Sequence, residues 1–323
     1  MLSVGGRYSP PIMAEQFCDV GGRVTLCFET FGEPSDPTAL LIMGLGTQMV
    51  AWPESFCRQL AARGLYVVRF DNRDIGRSTH VSGPVPTMAQ ILRRSRRAAC
   101  YTLADMAQDT AGLLRELGIA PAHAIGASMG GMIAQTLAAR HPELVRSLTS
   151  IMSNTGSRLT GQPGLRAYPI FLRRAPRARN AYIAHMERLF GVIGSRRLPP
   201  DSEEIRAIAA ASYDRDHDPR GPLRQLAAIL ASGDRTAELR RITAPTLVIH
   251  GSADPLVAPS GGRATARAIP GAELMIVKDM GHDLPHAAWP TLIDAISRHA
   301  IRAAGASQRH PLIPPRPISL PAG

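Results

Sequence analysis

The sequence predicts an α/β fold: a mostly parallel central sheet with helices on both faces and a helical cap inserted late in the chain. Three observations carry this. Short, almost wholly apolar runs recur at Ala39–Met43, Leu65–Phe70, His123–Ile125, Ser147–Met152, Thr246–His250 and Glu273–Val277. Strands apolar on both faces are buried on both faces, which is how parallel strands sit beneath covering helices. Between the runs lie helical stretches long enough for right-handed crossovers: Pro53–Arg63, Thr102–Leu117, Met129–Arg140, Gly261–Ala268 and Trp289–Ala300. One interval breaks the alternation. From about Ser153 to Asp234 there is only amphipathic helical patterning, such as Asn180–Phe190 and Glu203–Tyr213, interrupted by Pro and Gly.

The first two strands, Met13–Cys18 and Val24–Thr30, are joined through Gly21-Gly22 as a hairpin. A two-residue turn there would set Cys18 against Thr25 and Cys27 against Gln16, so the two thiols do not face each other. The resulting division is a core at 1–152, a cap at 153–234 and the rest of the core at 235–302. Residues 303–323, with Pro311, Pro314, Pro315, Pro317 and Pro321, read as a loose tail. A chain of 323 residues accommodates one large α/β domain with such an insertion.

Composition narrows the function classes. The chain is 45% hydrophobic and 20% charged, as folded chains are. No apolar run approaches the roughly 18–20 residues that span a bilayer. Pro10 and Pro11 interrupt the opening stretch where a signal core would be continuous, so a cytoplasmic protein without a membrane span is expected. The net charge is +11, but Lys278 is the sole lysine among 37 basic residues, which reads as a compositional bias toward arginine. Neither Arg93-Arg94-Ser95-Arg96-Arg97 nor the group Arg173, Arg174, Arg177 and Arg179 carries interleaved aromatics, and no nucleic-acid partner is expected. Cys18, Cys27, Cys57 and Cys100 lack CxxC spacing and do not cluster with His, so reduced thiols and no metal are expected.

The strongest chemical signal is Gly126-Ala127-Ser128-Met129-Gly130-Gly131, between the run His123–Ile125 and the helix Met129–Arg140. G-x-S-x-G at a strand-to-helix junction forces the serine onto a sharp turn, with its hydroxyl pushed out at the carboxyl end of the sheet. A serine hydroxyl is a weak nucleophile until a base takes its proton. His282, in Met280-Gly281-His282-Asp283, directly follows the last strand and so reaches the same edge; His286 is the distant second. Asp254, in Gly251-Ser252-Ala253-Asp254-Pro255, follows the preceding strand and is the acid that would hold the imidazole. Asp279 and Asp283 are rivals by proximity, but so near His282 in the chain they would struggle to reach its ring, and loop solvation is expected of them. Two oxyanion donors are needed. They are assigned to the N–H groups of Met129 and Leu45, with Gly46 as fallback. Gly44, Gly46 and Trp52 are candidate substrate contacts.

Taken together, these residues resemble the α/β-hydrolase superfamily over about Val24 to Ala300. The stretches Trp52-Pro53-Glu54-Ser55-Phe56 and Gly64 to Thr79, with Asp71-Asn72-Arg73-Asp74-Ile75-Gly76-Arg77-Ser78, resemble the branch containing aclacinomycin methylesterase. Most capped relatives have Gly and His where this chain has Asp74 and Ile75, and Met43-Gly44 replaces the more usual His-Gly. The Asp71–Ser78 stretch itself reads as a structural turn, in which Arg73 and Asp74 brace the sheet-end loops. The resemblance implies a carboxylesterase-type serine hydrolase of small or medium esters, methyl or polyketide-type esters included, with no cofactor. The same three residues would also serve perhydrolysis, acyl transfer or C–C hydrolysis, and a non-catalytic binding protein would be the rival of another class. Tyr182, Met186, Phe190, Arg173 and Arg174 of the cap would together shape the pocket, while for any single one of them packing of the cap onto the core is the more expected role; self-association stays open.

Overall fold

The computed structural model describes residues 14–93, 96–164, 167, 175–198 and 201–308. Their strands are β1 (Gln16–Asp19), β2 (Thr25–Phe31), β3 (Thr38–Ile42), β4 (Tyr66–Phe70), β5 (Ala122–Ala127), β6 (Val145–Ile151), β7 (Thr246–Gly251) and β8 (Glu273–Val277). They form one sheet in the order β1-β2-β4-β3-β5-β6-β7-β8. β1 and β2 pair antiparallel, as do β2 and β4; every later pair is parallel. The helices are α1 (Glu54–Ala61), α2 (Met88–Leu92), α3 (Leu103–Glu116), α4 (Met129–Arg140), α5 (Arg179–Ile193), α6 (Ser202–Arg215), α7 (Gly221–Ser232), α8 (Thr236–Leu239), α9 (Pro259–Ala268) and α10 (Trp289–Gln308).

Alternation along β3 shows how the layers arise. Leu40 and Ile42 enter one core with Val68, Phe70 and Leu148, covered by Leu113 of α3 and by Ile133 and Leu137 of α4. Ala39 and Leu41 face the other way, into a core with Val67, Ile125 and Ile249, covered by Phe56 and Leu60 of α1 and Leu292 and Ile296 of α10. Successive side chains of a strand leave on opposite faces, so an unbroken apolar run serves two cores at once. Each fully buried Leu or Ile contributes about 1.5–3 kcal/mol to that arrangement.

Three expectations are corrected. The hairpin register is shifted by one: Cys18 pairs with Leu26 and Cys27 with Phe17. The turn is longer than two residues, because Val20 N–H donates to Val24 O and Val24 N–H to Gly21 O, with Gly21, Gly22 and Arg23 all at positive φ. Secondly, β8 is an edge strand whose Glu273 and Leu274 are exposed, so its apolar sequence does not mean burial on two faces. Thirdly, the last helix runs through Ala303 to Gln308, extending into the span read as tail; residues 309–323 lie outside the described residues. Helices α2 and α8 lie outside the stretches read as helical, and α7 falls within the interval 153–234 expected to be helical.

Between β6 and β7 the chain leaves the sheet and forms α5, α6 and α7 before returning. Buried polar contacts fasten this insertion to the loops at the carboxyl ends of the strands. Arg224 of α7 makes a two-pronged contact with Asp74, at 2.6 and 2.9 Å, and Asp74 also accepts the Tyr101 hydroxyl at 2.6 Å. Arg215 at the end of α6 reaches Asp71 at 2.8 Å and Glu15 at 2.6 Å. The Asp71–Ser78 turn is the socket for these arginines. Asp71 also accepts the Met49 and Arg77 N–H groups, and Arg73 binds Asp109.

Candidate active site

Ser128 sits between β5 and α4 at φ 55°, ψ −118°, a conformation that L residues rarely hold. Two neighbours permit it. A Cβ on Gly126 would lie 2.1 Å from Gly130 O, and one on Gly130 would lie 2.0 Å from Ile42 O. Only glycine lets α4 approach the ends of β3 and β5 this closely. The Ser128 N–H is tied to Ile151 O at 2.9 Å, which fixes the turn to β6.

Asp254 follows β7 and His282 follows β8, so both reach the edge occupied by Ser128. His282 Nε2 lies 2.9 Å from Ser128 Oγ, and His282 Nδ1 lies 2.8 Å from Asp254 Oδ2. The structure thus brings the three residues into one unbroken hydrogen-bonded line. Asp254 Oδ1 accepts the N–H groups of Leu256 and Val257, each at 2.9 Å. Burial would raise the Asp254 carboxyl. The His282 imidazole, bonds from His250 and His282 and the Val257 amide outweigh burial and hold the group well below the usual carboxylate range. An ionised carboxylate here favours a proton on His282 Nδ1, which leaves Nε2 free to accept from the serine.

The loop after β3 closes the other side. A Cβ on Gly44 would lie 3.2 Å from Ser128 Cβ, so this backbone runs directly beside the serine. Asn72 Nδ2 holds the Met43 carbonyl at 3.0 Å and so fixes the base of the loop. The Met129 N–H is the first of α4 and has no partner within the helix, at the positive end of the helix dipole. The Leu45 N–H likewise has no acceptor among the described residues. Two preorganised donors at this point suit an oxygen that gains negative charge.

Several candidates fall elsewhere. Gly46 is not available as a donor, because its N–H is bonded to Gln225 Oε1 of α7 at 2.9 Å. Trp52 is corrected from a substrate contact to a core residue: it is wholly buried and its ring stacks on Phe56 at 5.6 Å. His286 contacts Glu204 at 3.1 Å and packs on Trp289, away from the serine. Asp283 is not solvated; it is buried and accepts the Ser195 N–H at 3.0 Å, and burial raises its carboxyl despite that bonding. Tyr182 is buried against Tyr213 and His217, while Arg173 and Arg174 lie outside the described residues. Gln225 and Ser195 were invisible to sequence reasoning, for they meet partners 179 and 88 residues away and belong to no spacing pattern.

Residues 37–286 match the alpha/beta hydrolase fold family, and the chain belongs to it. Among curated relatives, rhodomycin D methylesterase DnrP of Streptomyces peucetius is 29% identical over 303 residues, spanning 87% of this chain and 96% of its own. Rhodomycin D methylesterase DauP of Streptomyces sp. (strain C5) is 30% identical with the same coverage. Solved structures share the fold. The enol-lactonase from Burkholderia xenovorans LB400 has a TM-score of 0.67 at 24% identity, covering 90% of this chain and 100% of that one. A malate-bound thermophilic esterase from Thermogutta terrifontis has a TM-score of 0.66 at 22% identity, covering 90% and 98%.

Among the described residues no helix is long and apolar enough to cross a membrane.

Proposed function

We propose that the protein is a serine carboxylic ester hydrolase that works through an acyl-enzyme on small or medium esters, with methyl esters of polyketide-type acids as the favoured class. The continuous line from Ser128 Oγ through His282 to Asp254, at 2.9 and 2.8 Å, carries this reading. The two methylesterase relatives support the substrate class.

In this mechanism Ser128 Oγ attacks the ester carbonyl while His282 Nε2 takes its proton. The carbonyl oxygen becomes an oxyanion, held by the N–H groups of Met129 and Leu45. Collapse of the tetrahedral species breaks the C–O bond, and His282 passes its proton to the departing alcohol. Water then enters, gives a proton to His282 and its oxygen to the acyl group, and the carboxylic acid leaves as Ser128 regains its proton. Asp254 stays ionised and stabilises the imidazolium in both halves.

Ser128→Ala removes the nucleophile and leaves the fold intact. Hydrolysis of a short p-nitrophenyl ester is expected to fall on the order of 10³-fold or more, and labelling by a fluorophosphonate to vanish. Wild-type turnover in the variant would refute the assignment. A panel that varies acyl group and alcohol separately, with methyl esters of polycyclic aromatic acids included, tests the substrate class.

A further inference from the structure

We propose that Ser195, just beyond the end of α5 in the cap, is a positioning residue for His282: it clamps the loop that carries the base. The inference rests on the ester-hydrolase reading above. Three consecutive loop residues are bonded to two cap residues, Ile193 and Ser195. Gly281 N–H donates to Ser195 Oγ at 2.7 Å, and His282 N–H donates to Ile193 O at 2.8 Å. Asp283 Oδ1 accepts both the Ser195 N–H at 3.0 Å and the Ser195 hydroxyl at 2.5 Å.

The chemistry of the hydroxyl makes the clamp specific. Ser195 Oγ has one proton and two lone pairs, and spends the proton on Asp283 while it accepts from Gly281. Both bonds are satisfied together in one register of cap against loop. The backbones leave no slack, because a Cβ on Gly281 would lie 2.5 Å from Gly194 C and 2.7 Å from Ser195 N. Ser195, His282 and Asp283 are all buried. Asp283 Oδ2 has no hydrogen-bond partner among the described residues. A buried carboxyl with one oxygen lacking a protein partner costs stability, so packing alone does not account for it.

On the core side, the loop is tied through Met280 O, which accepts the Ala253 N–H at 3.0 Å, and through Leu284 O, which accepts the Trp289 indole at 2.8 Å. Between those anchors the N–H groups of Gly281 and His282, and the side chain of Asp283, are bonded to the cap. The cap therefore helps set where the His282 backbone stands, while Asp254 orients the ring toward Ser128 Oγ. A displacement of about 1 Å at a reacting group costs on the order of 10²-fold in rate.

The test compares Ser195→Ala, Asp283→Ala, Asp283→Asn and Ser195→Cys with wild type and Ser128→Ala. The readouts are kcat, normalised to the fraction of protein that a fluorophosphonate labels, and KM, both on a p-nitrophenyl ester. Ser195→Ala and Asp283→Ala are expected to lower kcat on the order of 10- to 100-fold with KM within about twofold. Asp283→Asn should recover most of that loss, since its amide oxygen still accepts both Ser195 donors. Should the alanine variants fail to fold, Ser195→Cys decides: its thiol is somewhat larger than the hydroxyl but hydrogen-bonds only weakly, and should still lower kcat severalfold. Unchanged kcat in the folded variants, beside an inactive Ser128→Ala, would overturn the clamp and leave the hydrolase reading standing. A wild-type protein that neither labels nor turns over esters would sink the hydrolase reading itself.

Discussion

Asp254→Asn isolates the role of one charge with almost no change of shape. Asp254 Oδ1 receives the Leu256 and Val257 N–H groups, each at 2.9 Å, so the amide oxygen of the variant must take that side. Its NH2 then points at His282 Nδ1, where the wild-type Oδ2 stands at 2.8 Å. A ring nitrogen facing an NH2 has to accept, so the imidazole proton moves to Nε2. That nitrogen lies 2.9 Å from Ser128 Oγ and would donate toward the hydroxyl instead of taking its proton. The expected loss is about 10⁴-fold in kcat, equivalent to about 5 kcal/mol of transition-state stabilisation. The assay is hydrolysis of a short p-nitrophenyl ester at neutral pH, with the fluorophosphonate labelling rate followed in parallel. A loss of less than about tenfold in folded protein would refute tautomer control by Asp254. The same variant has a stability signature. The wild-type carboxyl is held below its unfolded value of about 3.9, so its contribution is complete above that pH and is lost as pH falls further. The gap in melting temperature between wild type and variant should therefore narrow below about pH 4.

Other expectations concern the frame around the site. Arg224→Ala leaves Asp74 buried without its cation, and unfolding by urea should show a loss of about 3–5 kcal/mol; a loss under 1 kcal/mol, the worth of an exposed pair, would contradict the socket described for α7. His123 is buried beside Ser147, and burial, with Arg146 and His299 adding to it, lowers its imidazole to about 4. The unfolded chain binds that proton from about pH 6.5, so this group should remove up to about 3 kcal/mol of stability as pH falls from 6.5 to 4. His123→Asn keeps a group near Ser147 and should flatten that part of the stability profile; an unchanged slope would rule the histidine out as its source.

How much of this was legible beforehand depended on the range of the interaction. Runs such as Ala39–Met43 and Thr246–His250 announce buried parallel strands because strand geometry sends alternate residues to two cores, and apolarity at every position is a local property. The junction around Ser128 is local as well: a strand, a serine with glycine two positions away on either side and a helix, all between Ala122 and Arg140. Asp254 and His282 could be named because each closely follows a strand, and parallel strands deliver their carboxyl ends to one edge. The turn at Gly21-Gly22 misled by one residue, since register depends on how many residues the turn consumes rather than on the glycines that permit it.

What local pattern determined was therefore the layered sheet, the strained serine and the two partners that share its edge. Tertiary structure alone decided that Trp52 belongs to the core, that the Gly46 N–H is committed to Gln225, and that Asp283 meets a serine of the cap. Those outcomes are contacts between segments up to 179 residues apart. Hydrogen bonding and steric fit between such segments follow from how elements pack in space, and periodicity along a chain carries no record of it.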